Sequence, residues 1–114
     1  MFIKSENGIF ETTIDGVCFA CYAVDEQVEE SATKIAKIYP DRLNDIAQFM
    51  LQEGISDFFG PLSVEKLIQS LGTPLVNLSN NSITYLEQTL DDTHIISFEF
   101  TGLLDKFFYL NIDG

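Results

Sequence analysis

Polar and apolar residues alternate near both ends of this chain and take up a helical period between them. Phe2 to Lys4 predicts a short strand, and Asn7-Gly8 a turn. Ile9 to Ile14 predicts a second strand, with Thr12 and Thr13 as good strand formers. Asp15-Gly16 then predicts a hairpin, because glycine tolerates positive φ. Val17 to Val24 is nearly all apolar. Val17, Phe19, Cys21 and Ala23 fall on one face; Cys18, Ala20, Tyr22 and Val24 fall on the other. Apolar residues on both faces predict a central strand, or one covered on both sides.

Further on, the period becomes helical. Val28, Ala32, Ile35 and Tyr39 form one stripe. Asp25, Glu26, Glu29 and Glu30 lie at its start, where negative charge suits the helix dipole, and Lys34 and Lys37 toward its expected end. Pro40 predicts an interruption. Leu43, Ile46, Ala47, Met50 and Leu51 form a second stripe, and Gly54 predicts its stop. Ser63 predicts the cap of a third, short helix whose inner face is Val64, Leu67, Ile68 and Leu71, ended by Gly72 and Pro74.

Strands return after that. Leu75 to Leu78, Ile83 to Thr89, His94 to Thr101 and Lys106 to Ile112 are the candidates, with a turn at Asn80-Asn81. Ile96, Phe98 and Phe100 predict a core face, with Ile95, Ser97 and Glu99 on a partly wet one. Phe108, Leu110 and Ile112 predict the core face of the last strand. Strands at both ends with helices between predict one α+β domain over residues 1–114. Its antiparallel sheet is built from an N-terminal hairpin and a C-terminal meander, with two or three helices on one face in the order ββ-ααα-βββ.

Charge narrows the choice of partner. Six Lys and Arg stand against eighteen Asp and Glu, a net −12. Such a surface is repelled by nucleic-acid phosphates and by anionic membranes, and it attracts a basic protein. Acidity also simply keeps small proteins soluble. Residues 1–20 carry Lys4, Glu6, Glu11 and Asp15, which is not a secretory signal pattern, and two cysteines are not a disulfide framework. A cytoplasmic location is expected.

Candidate chemistry is sparse. Cys18 and Cys21 form a CxxC inside an expected strand, where their side chains face opposite ways, so a core role is expected over a redox one. Asp91, Asp92 and His94 form the one compact polar cluster with metal-ligand character. Their spacing matches no established ligand motif, and Asp-Asp-Thr favours a turn. Gly-rich phosphate loops and a nucleophile elbow are absent, which lowers the expectation of an enzyme. No cofactor is expected. Phe58 and Phe59 are expected in a loop between helices, where both rings closing the helical layer over the sheet is the favoured arrangement and one ring exposed as an interface anchor is the alternative. Phe107 and Tyr109 pose the same question on the last strand; together the four are the candidate partner-binding residues.

The segments Ile83-Thr84-Tyr85-Leu86, Leu90 to Ile96 and Phe107 to Gly114 resemble a small bacterial family known only as a domain of unknown function. The resemblance covers roughly residues 60–114 and implies no activity, cofactor or catalytic residue. More loosely, the acidic, Phe-rich composition is similar to bacterial immunity proteins, which implies binding to a basic toxin domain. The leading expectation is therefore a non-enzymatic module that binds a basic protein. The competing one is a ligand-binding or metal-dependent protein using Asp91, Asp92 and His94. A homodimer through the last strand as a free edge is a third.

Overall fold

In the computed structural model, which describes Met1–Gly114, Asp15 and Gly16 take φ of 49° and 81° and close the first hairpin. It joins β2 (Phe10–Ile14) to β3 (Val17–Cys21), and β1 (Ile3–Lys4) pairs on its outer side. Three helices follow: α1 (Glu26–Gln52), α2 (Ile55–Phe59) and α3 (Val64–Leu71). Four more strands complete the chain: β4 (Leu75–Asn77), β5 (Ser82–Tyr85), β6 (Ile95–Thr101) and β7 (Lys106–Asp113).

The fold is α+β, with one seven-stranded, mostly antiparallel sheet whose strands lie in chain order. Hairpin and meander are joined edge to edge by one parallel pair, β3 with β4, in the register Cys18↔Leu75, Phe19↔Val76 and Ala20↔Asn77. That pair departs from the expected antiparallel sheet. Three intervening helices bring the chain back to run in the direction of β3, as a parallel pairing requires.

Pro40 does not break the helix. Ile35, Tyr39, Ile46, Ala47 and Met50 form one buried stripe on α1 that runs through it, while Pro40 itself is exposed. Proline removes one backbone bond and costs about 3 kcal/mol; the apolar face packed on the sheet offsets that. Asp25 caps the start by accepting from the Val28 N–H at 2.8 Å. Because α1 runs on to Gln52, Lys34 and Lys37 lie in its middle, and its last turn has no basic residue. Gly54, with φ of 93°, turns the chain into α2, a single turn where a loop was expected. Ser63 caps α3 by accepting from the Lys66 N–H.

Helices cover one face of the sheet only. One register row on that face runs Thr12, Phe19, Val76, Ile83 and Phe98 across β2 to β6. Phe19, Val76, Ile83 and Phe98 are buried in the core with Ile35, Met50, Leu67 and Leu71 of the helices. Arg42 ties α1 to the β6–β7 turn: its Nε donates to the Leu104 carbonyl at 2.9 Å and its guanidinium lies over the Phe107 ring.

Two expectations for the strands change. The run from Val17 is a strand only to Cys21; Tyr22 and Ala23 are exposed. Its second face is uncovered, so Cys18 is half-buried there while Cys21 is in the interior. On the last strand, Phe108 is not on the core face. Phe107 faces Phe100 and Phe108 faces Glu99, then a bulge at Tyr109, with φ of 58°, shifts the parity. An extra residue in one strand reverses which side its successors face. Leu110 and Ile112 accordingly return to the core side with Phe107.

Candidate functional site

Mostly short side chains floor the uncovered face. One row across it reads Glu11, Ala20, Asn77, Ser82, Glu99 and Phe108; the next reads Thr13, Cys18, Leu75, Thr84, Ser97 and Asn111. Strand alternation fixes both rows, because most of these residues neighbour core residues in sequence. Where β5, β6 and β7 meet, Ser82, Thr84, Ser97, Glu99 and Asn111 form the floor of an open groove of about 560 Å³. Asn80 borders it from the β4–β5 turn and Tyr109 from β7. Ser82 Oγ donates to Asn80 Oδ1 at 2.7 Å, and Asn111 Nδ2 donates to Asp113 Oδ2 at 2.6 Å.

Tyr109 is 71% exposed. Its ring meets Phe108 edge-on, with centroids 4.9 Å apart. The bulge thus places an aromatic ring at the groove's border and turns it out of the ladder. Phe107 instead packs on Phe98 and Phe49, at 5.6 and 5.9 Å between centroids.

A second cluster forms at the β5–β6 connection. Gln88 is buried there and braces the loop: its amide donates to the His94 carbonyl at 2.8 Å and to Asp91 Oδ1 at 3.0 Å, and its carbonyl accepts from the Leu90 N–H at 2.7 Å. Asp91 also accepts from the backbone N–H groups of Thr93 and His94 and pairs with His94 Nδ1. Partial burial pushes its carboxyl pKa up. Hydrogen bonds from Gln88, His94 and Thr93 outweigh that and hold it down at about 2. Asp92 is exposed. Phe58, also exposed, meets the His94 ring edge-on at 4.8 Å, and half-buried Phe59 lies 6.1 Å from it. Residues far apart in sequence, Phe58, Phe59, Asp91 and His94, therefore share one corner. The chemistry there is that of a braced turn, with Asp91 occupied by donors from its own loop. No three His, Cys, Asp or Glu side chains gather where they could hold a metal ion.

The groove residues Ser82, Thr84, Ser97 and Asn111 carry no motif. Their signal is alternation alone: short polar residues opposite a core face, on three neighbouring strands. No helix is long and apolar enough to cross a membrane. No family model, no curated protein and no solved structure matches this chain.

Proposed function

We propose that this chain is a non-enzymatic, cytoplasmic module that binds a basic protein through the uncovered face of its sheet, in the manner of an immunity protein. The observation that carries this reading is the composition of that face. Six strands present two rows of mostly short side chains that carry Glu11 and Glu99 and no basic residue, and Lys106 stands apart from them at the end of β7, opposite Thr101. The whole chain adds a field of −12, which steers a cationic partner and raises its association rate. The competing reading at Asp91, Asp92 and His94 has less support, since the acceptor capacity of Asp91 is engaged within its own loop.

The test is recovery of partners from the source cell at low and at high salt, with the native chain and a Glu11→Lys, Glu99→Lys double variant in parallel. A specific basic protein should be recovered by the native chain, best at low salt where screening is weakest, and lost with the variant. No specific protein at low salt, or equal recovery by the variant, overturns the reading.

A further inference from the structure

We propose that the groove between β5, β6 and β7 seats one basic side chain, arginine or lysine, presented by that partner. Glu99 supplies the countercharge and the Tyr109 ring the wall against which the cation packs. This deepens the basic-partner reading and rests on it.

Four observations carry the assignment. Glu99 is exposed at the groove and has no basic side chain paired with it. Tyr109 keeps a left-handed backbone, φ 58°, although it is not glycine. Such a conformation in a bulky residue persists where the surroundings impose it, and bulges of this kind re-aim a side chain. Here the re-aimed side chain is left 71% exposed, in the lining of the groove that Glu99 also lines. The remaining lining is neutral: the hydroxyls of Ser82, Thr84 and Ser97, the amides of Asn80 and Asn111, and the residues Phe98 and Leu110. No Lys, Arg or His lines the groove, so a phosphate or carboxylate ligand would find no countercharge.

A cation matches each element of this chemistry. An ammonium or guanidinium has only donors, and the groove offers acceptors to them. The face of a tyrosine ring attracts a cation at close range. A neutral saccharide could use the hydroxyls and the ring and donate to Glu99, but it brings no opposite charge to the carboxylate, and a charge-assisted pair from a cation is the stronger contact. The volume of about 560 Å³ admits a long side chain together with its flanking backbone.

The experiment is a titration of the isotope-labelled full chain, followed by backbone amide shifts. Its probes are a capped Gly-Gly-Arg-Gly-Gly peptide and, separately, maltose. With the arginine peptide, shifts should concentrate at Ser82, Thr84, Ser97, Glu99 and Asn111. Glu99→Gln and Tyr109→Ala should each weaken binding by about three- to tenfold, the size of a cation–π or exposed ion-pair contribution. Asp41→Asn, which removes the same charge from exposed α1, should leave binding unchanged. Tyr109→Ala keeps a Cβ at the left-handed position, so its effect reports the ring. Equal weakening by Asp41→Asn, or shifts spread over the helices, overturns the groove and leaves the broader reading standing. Larger groove shifts with maltose than with the peptide overturn the cation assignment. A basic partner that is recovered at low salt and holds Tyr109→Ala and Glu99→Gln as well as the native chain overturns this proposal alone.

Discussion

The hydroxyls of Tyr39 on α1 and Tyr85 on β5 meet at 2.6 Å inside the core. Tyr85 is fully buried and Tyr39 nearly so. Each hydroxyl therefore depends on the other. Tyr39→Phe should destabilise by about 1–3 kcal/mol, because it leaves the Tyr85 hydroxyl buried without a partner. Tyr85→Phe should cost less, since the Tyr39 hydroxyl lies nearer to water. Changing both to Phe should cost less than Tyr39→Phe alone, because no orphan remains. Urea unfolding of the three variants checks the order.

The same pair sets an alkaline limit. Burial pushes the Tyr39 pKa up to about 12, against the lowering effect of its bond to Tyr85, and burial drives Tyr85 up as well. A folded pKa above the unfolded value of 10.0 means that the unfolded chain loses these protons first. Their contribution is thus whole below pH 10 and declines as pH rises toward about 12. Thermal melts across that range should show the decline, and the double Phe variant should lack this component of it.

At the acid end the sign reverses. The Asp91 carboxyl is held down at about 2 from an ordinary 3.8, so its contribution is present above pH 3.8 and lost as pH falls through about 2. Asp91→Asn should lower the melting point at neutral pH and flatten the acid limb between those values. Gln88→Leu should cost about 1–3 kcal/mol at neutral pH, because it strips partners from the Leu90 N–H and the His94 carbonyl.

Pro40 offers a stabilising change. It is exposed in the interior of a helix that runs through it. Pro40→Ala restores an N–H for the Ala36 carbonyl and removes no buried contact. Stability should rise by about 1–3 kcal/mol, read as a higher urea midpoint with an unchanged slope.

The two cysteines should separate chemically. Cys21 is buried, and desolvation raises its thiol pKa; Cys18 is half-buried on the uncovered face. Iodoacetamide at neutral pH should label Cys18 in the folded chain and Cys21 only after unfolding. Mass spectrometry of peptides quenched at intervals distinguishes this from equal labelling.

Legibility in the sequence followed the range of the interactions. Local signals held: the Asp15-Gly16 hairpin, the Ser63 cap and the alternation of Ile96, Phe98 and Phe100 all set structure within a few residues. Pro40 misleads because its penalty is local while the buried stripe that outweighs it spans the whole helix. Phe108 misleads because period-two counting assumes an unbroken ladder, and nothing in Phe107-Phe108-Tyr109 announces a bulge. Gln88 falls within the expected strand Ile83 to Thr89, yet that strand ends at Tyr85 and Gln88 turns inward to close the loop before His94. Of the candidate site, Tyr109 and the wet positions Ser97 and Glu99 were visible. Their meeting with Ser82, Thr84 and Asn111 depends on the register within the expected meander and on the bulge in β7, which alternation does not encode.

The β3–β4 junction has a kinetic consequence. β1 to β3 pair within one short stretch of chain, and β4 to β7 within another. Nothing local brings the two together: the Tyr22 N–H reaches Ser79 Oγ at the seam across 57 positions of sequence. Closing so long a loop costs entropy before its contacts form. We predict that the seam joins last, after the rate-limiting step. Val76→Ala, in the middle of β4, should then speed unfolding and leave refolding nearly unchanged in stopped-flow measurements. Slowed refolding would place the seam in the folding nucleus instead.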